Sequence, residues 1–269
     1  MYRFSFYVII CILACVIAAE IVTRDAPEQI PALHHEEGRK IFQLYDPEMA
    51  EGENKDLVML GYRIIQDTKK MLPDNVGNKL SCINCHFAAG NSYGGERNGL
   101  CLVGVVHLYP KTQEDGSLFS LSERINGCMM RSMNGKELRL DSHEMHGLLA
   151  YLEWISTDIP KQKSYPWLGI KPLRTDHVPN PENGKKIYEL KCALCHGMDG
   201  RGQDRRDDLS YPPLWNENSF NDGAGMNKLP VISYFIYKNM PFEDPCLSIE
   251  EALDVGSYVI KQPRPHLKH

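Results

Sequence analysis

Two short runs could do chemistry: Cys82-Ile83-Asn84-Cys85-His86 and Cys192-Ala193-Leu194-Cys195-His196. Two thiols about one helical turn apart can reach the two vinyl groups of one porphyrin edge, and the adjoining histidine can turn its imidazole to the iron. A redox dithiol would leave the histidine unexplained, and a zinc site would want a second ligand pair nearby in sequence. Two covalently bound haem c groups are therefore expected. Cys82, Cys85, Cys192 and Cys195 would attach them, and His86 and His196 would be the proximal iron ligands.

The sixth ligands follow from spacing. Met240-Pro241 stands 44 residues after His196, where small cytochromes c carry their distal methionine; Met226 is the competitor. Leu214 to Met240 is 26 residues, and Leu102 to Cys128 is also 26. The first half thus presents a cysteine where the second presents a methionine. Met129, Met130, Met133, His143 and His146 are alternatives, and Cys128 could equally be a buried thiol. If Ser122 to Met133 is helical, Arg124, Arg131 and Ser132 stand at i−4, i+3 and i+4 from Cys128, two guanidinium groups and a hydroxyl on its face. A planar guanidinium donates two hydrogen bonds at once to an oxyanion. The same arginines could hold haem propionates or lie in solvent. Asn134 and Lys136 are further candidates.

These residues need helices to position them. Each motif is preceded by a Gly-x-x-Ile pattern (Gly61 to Ile64, Gly184 to Ile187) and followed by an apolar loop (Leu102-Val103-Gly104, Pro212-Pro213-Leu214-Trp215). Each half closes on a helical segment with a tyrosine, Tyr151 or Tyr258. The order is the same twice, which reads as a duplicated domain. Leu57, Leu60, Ile64 and Met71 recur at helical steps, as do Leu148, Leu152 and Ile155, and Ala252, Val255 and Val259. No convincing alternating strand is evident. The expected fold is all-α, with two class I cytochrome c-like domains at 55–158 and 181–269. Between them, the prolines of 159–180 exclude a regular helix and predict an extended linker packed against both.

A chain of 269 residues, 42% hydrophobic and 24% charged, has length enough for two cores. Its net charge of −5 and lack of a basic run argue against nucleic-acid binding. Residues 1–19 have a charged start and an apolar run ending at Ala18-Ala19, the shape of an export signal to the periplasm. Ile12 to Cys15 could instead be a lipoprotein box, or the segment could stay as a membrane anchor. Residues 20–54 form a polar extension. Cys101 and Cys246 remain as an even pair in an oxidising compartment, able in principle to bridge the domains.

Four stretches carry a family resemblance: Asn78 to His86, Arg124 to Cys128, Arg131 to Lys136 and Ser219 to Met226. They resemble the dihaem cytochrome c thiosulfate dehydrogenases, some of which act as tetrathionate reductases. The resemblance spans roughly 55–265 and is most specific over Arg124 to Lys136. It implies an active-site haem ligated by His86 and Cys128, then an electron-transfer haem ligated by His196 and Met240. It also implies thiosulfate and tetrathionate as substrates and a cytochrome or quinol-linked redox partner; with Cys128 as the ligand, Arg124, Arg131 and Ser132 on its helix face are the candidates for binding the substrate anion. Many members carry lysine before the second methionine; this chain has Asn239-Met240, with Lys238 one residue further back. Cys128 would then tune the iron or leave it to carry a sulfur adduct. The rivals are a dihaem electron carrier without substrate chemistry and a dihaem peroxidase.

Overall fold

The computed structural model describes residues 44–204, 210–242 and 244–268. The leader, Cys11 and Cys15, and most of the 20–54 extension lie outside the described residues. Six longer helices build the fold: α1 (Lys55–Gln66), α2 (Leu121–Arg131), α3 (His143–Trp154), α4 (Pro181–Lys191), α5 (Leu229–Asn239) and α6 (Ile249–Ile260). The chain is all-α, with two cytochrome c domains and a linker without regular structure between α3 and α4.

Local chemistry sets the helix ends. At α2, Ser120 Oγ accepts from Glu123 N (3.1 Å) and Glu123 Oε2 accepts from Ser120 N (2.6 Å), a reciprocal cap. Ser248 and Glu251 do the same for α6. Pro181 sits in the first turn of α4 behind Asn180, whose side chain caps two amides.

Each half pairs its first helix with its last, and glycine permits the crossing. A methyl group on Gly61 of α1 would collide with the Gly147 carbonyl of α3, and one on Gly184 of α4 with the Asp254 carbonyl of α6. The buried stripes of the closing helices are those the periodicity predicts: Leu148, Leu152 and Ile155, then Ala252, Val255 and Val259. The first helix differs from expectation. It ends at Asp67, whose carboxylate caps a separate turn over Thr68–Met71 by accepting from Lys70 N (3.3 Å). Its buried residues are Val58, Gly61, Ile64 and Ile65, so Met71 does not continue the helix face.

Two short antiparallel ribbons were not anticipated: β1 (Lys111–Thr112) with β2 (Leu118–Phe119), and β3 (Gln203–Asp204) with β4 (Ser210–Tyr211). The first turns through Asp115-Gly116, with Gly116 at φ +82°, a turn signal that two-residue strands are too short to advertise by alternation. The linker touches both halves. Tyr165 and Leu168 are buried in the first core, and Thr175 Oγ1 donates to Glu250 Oε1 (2.9 Å) of α6. No helix of the described residues is long and apolar enough to cross a membrane.

Candidate active site

The first Cys-x-x-Cys-His run folds as a tight turn over Cys82–Asn84. Thr68 Oγ1 holds its start, accepting from Cys82 N (2.9 Å) and donating to Cys82 Sγ (3.2 Å). Leu100 O lies 2.6 Å from His86 Nδ1, and Leu100 N donates to Cys85 O at 2.8 Å, so one residue anchors both sides of the motif. In the second half Pro212 O lies 2.9 Å from His196 Nδ1. With Nδ1 donating to a carbonyl, each imidazole is held as the tautomer whose Nε2 lone pair is free for a metal. Desolvation pulls His86 down to about 4, with Arg124 adding to the shift, and also lowers His196, so burial favours the neutral ring in both. This donor set fits haem c.

Cys128 lies on the third turn of α2. Desolvation raises Cys82 to about 11 and Cys85 to about 12, and Cys128 lies close enough to the first motif to add a smaller push to both. Arg124 Nη1 donates to Cys128 Sγ at 2.8 Å. The thiol and the arginine one turn before it therefore face the attachment motif together. Met129 and Met133 are buried in the first core, and His143 and His146 are exposed on α3. Met130 is half-buried, and its carbonyl accepts from Asn221 Nδ2 (2.9 Å).

The other predicted residues divide. Arg131 folds back over its own helix, so that a methyl group on Gly127 would strike its guanidinium. It lies over Gly127, one position from Cys128, and no acceptor pairs with it among the described residues. Ser132 follows α2 as its cap, and its carbonyl accepts from Asn78 Nδ2 (2.8 Å). Asn134 Oδ1 is occupied by Asn221 Nδ2 (3.1 Å), and Lys136 is exposed.

Tyr109 was not foreseen. It lies beside Arg124, whose pKa is raised first by Cys128 and then by Tyr109. The β1–β2 ribbon presents it, with Phe119 against its ring (6.2 Å) and Lys111 Nζ 4.9 Å from the ring centroid. Tyrosine before proline is a weak sequence signal; the contact with Arg124 exists only once the ribbon folds over α2.

In the second half Cys192, Leu214 and Met240 pack against one apolar cluster, whereas Met226 packs against the first domain's core. Lys238 Nζ lies over the Tyr237 ring (5.0 Å) on its own helix. Cys101 and Cys246 are not bridged: Cys101 is buried in the first core and donates to Trp167 O (2.7 Å), while Cys246 is exposed before α6.

The family model described as the SoxA/TsdA cytochrome c domain matches residues 73–160, and the cytochrome c model matches 181–259. Thiosulfate dehydrogenase of Allochromatium vinosum is 39% identical over 222 residues, covering 81% of each chain. The chain belongs to the thiosulfate dehydrogenase family. The family's enzyme from Stutzerimonas stutzeri is 33% identical, over 93% of this chain and 81% of its own. The solved thiosulfate dehydrogenase TsdBA of Marichromatium purpuratum superposes with a TM-score of 0.76 at 28% identity, over 83% of this chain and 50% of that one. This chain therefore spans half the length of that protein. As a family member with two cytochrome c domains, it binds haem c.

Proposed function

We propose that this chain is a dihaem thiosulfate dehydrogenase that also runs in reverse as a tetrathionate reductase. Two thiosulfate dianions join through a new S–S bond to give tetrathionate, and two electrons leave. The observation that carries this reading is the Arg124–Cys128 contact of 2.8 Å facing the first Cys-x-x-Cys-His motif. A carrier cytochrome has no need of a guanidinium on an iron-ligand cysteine.

Covalently held haem, on Cys82 and Cys85 and on Cys192 and Cys195, would take up the electrons singly. The protein's own groups do the rest. His86 and Cys128 would hold one iron and His196 and Met240 the other. A thiolate stabilises ferric iron and a thioether disfavours it, which orders the potentials so that electrons run from the first domain to the second. Bringing two dianions together needs fixed positive charge. Arg124 holds the thiolate and faces the entering anion, Arg131 supplies a guanidinium one helical turn on that has no acceptor among the described residues, and Ser132 offers a hydroxyl. Electrons would leave from the second domain to a cytochrome or quinol-linked partner in the periplasm.

The test incubates purified holoprotein with thiosulfate and an artificial one-electron acceptor, then reduced holoprotein with tetrathionate. Haem reduction in the first arm and reoxidation in the second are expected. Inertness in both would indicate a carrier, and peroxide turnover a peroxidase. A Cys128→Ala protein that kept wild-type turnover would sink the assigned role of Cys128.

A further inference from the structure

The tail after α6 folds back across the second domain. Pro263 O accepts from Asn216 N (2.7 Å) and Pro265 O from Asp222 N (3.0 Å), so the tail lies along the loop that follows Leu214. Between these two prolines Arg264 turns inward. Its guanidinium lies over the Phe220 ring (4.4 Å), Nη2 donates to Val259 O (2.7 Å) and Nη1 reaches Leu214 O (3.4 Å). Its Nε is buried and finds no acceptor. Burial pulls the guanidinium down to about 10, with only Asp222 opposing. Asp222 is committed elsewhere: it accepts from Leu267 N (2.8 Å) and pairs with His266 Nδ1 (2.6 Å).

A second buried donor shares this condition. Asn216 Oδ1 accepts from Asn218 N (3.0 Å), while Asn216 Nδ2 is buried without a partner. A buried donor left without an acceptor is destabilising, more so when charged. Two on directly hydrogen-bonded segments point to one acceptor, and a guanidinium without a carboxylate asks for an anion. Both donors border the Pro212–Trp215 loop, whose Pro212 carbonyl holds His196.

We propose that Arg264 and Asn216 form a carboxylate site for a propionate of the second haem. A guanidinium edge and an amide N–H match the two oxygens of a carboxylate. Arg264 then acts as a positioning residue with an electrostatic effect: its fixed charge beside the haem disfavours the ferric state and raises that haem's potential. The inference rests on haem occupying the second motif. A haem count on each variant checks that separately from the role of Arg264.

The experiment is a redox titration of holoprotein for wild type, Arg264→Gln, Arg264→Lys and Asn216→Ala. Two haems per chain are expected in each. In Arg264→Gln the second haem's midpoint should fall while the first stays in place. Arg264→Lys should recover part of the shift, and Asn216→Ala should give a smaller fall. An unchanged second haem in Arg264→Gln, or equal movement of both haems, overturns the proposal. So does a wild-type second-haem potential that tracks added sulfate, which would mean a soluble anion fills the site. If Arg264→Gln does not accumulate, Asn216→Ala alone decides, since its amide carries no charge needed for folding.

Discussion

At the scale of single residues, the site depends on a chain of contacts that ends on one sulfur. Tyr109 lies beside Arg124, and Arg124 Nη1 donates to Cys128 Sγ. Removing the phenol hydroxyl would take one polar neighbour from the guanidinium. A polar group beside a charge contributes about 1 kcal/mol, so Tyr109→Phe should lower kcat/KM for thiosulfate by roughly fivefold. Haem content should stay at the wild-type level, because neither attachment motif touches Tyr109. Steady-state kinetics with an artificial acceptor checks this, and an unchanged kcat/KM would remove Tyr109 from the site.

At the scale of elements, helices and loops carry the candidate ligands, and hydrogen bonds tie them across the two domains. Asn239, the last residue of α5, is 1% exposed. Its Oδ1 accepts from Gly99 N (2.8 Å) and its Nδ2 donates to Phe235 O (2.9 Å). Arg97 N also donates to Lys238 O (3.0 Å). The loop whose Leu100 carbonyl orients His86 is thus fastened to the residue before Met240. Asn239→Ala strands the Gly99 amide and should cost about 1–3 kcal/mol, read as a lower unfolding midpoint in denaturant. It should also move the midpoint potentials of both haems, where a purely local loss would move one.

The first turn of α4 has its own anchor in Asp254. That carboxylate accepts from Asn180 N (2.6 Å), Asn183 Nδ2 (2.7 Å) and His177 Nε2 (2.7 Å). Desolvation pushes its pKa up, but these donors outweigh it and hold the group below the usual aspartate range. A depressed folded-state pKa stabilises the fold above the unfolded value of about 3.9 and loses that contribution as pH falls through the folded value. Asp254→Asn should therefore lower thermal stability at neutral pH and flatten the acid limb of the stability profile. Thermal melts across the acid range follow both effects.

At the scale of the whole molecule, the two domains share packing. Phe220 and Ala224, beyond the second motif in sequence, are buried in the first domain's core. Asn221 Nδ2 donates to Met130 O (2.9 Å), and Asn78 Nδ2 donates to both Ser132 O (2.8 Å) and Ser219 O (3.0 Å). Phe87, next to His86, meets Phe235 at 5.6 Å and Phe242 at 5.2 Å between ring centroids. Emptying a buried phenylalanine site costs about 3–5 kcal/mol. Phe220→Ala should therefore destabilise the first domain although it lies in the second. Amide exchange would show lost protection in α1 and α3; loss confined to α4 to α6 would refute the shared core.

The attachment motifs, the doubled order of elements and the closing-helix faces were legible because each is set by neighbours in sequence: two thiols and a histidine one turn apart, or apolar side chains at 3.6-residue steps. Cys128 with Arg124 was legible for the same reason, since both stand on one helix face. What lay beyond reach depends on segments distant in sequence meeting. Tyr109 reached Arg124 only through a folded ribbon, and Met226 left the second domain for the first core. Cys101 and Cys246 had an even count in their favour, but one is buried against Trp167 and the other is exposed, so parity did not make them a pair. Sequence by itself determined which atoms could ligate iron, because that is a matter of local chemistry. Tertiary structure decided which groups surround those atoms and which charges they feel, because hydrogen bonds and burial depend on distances the order of residues does not contain.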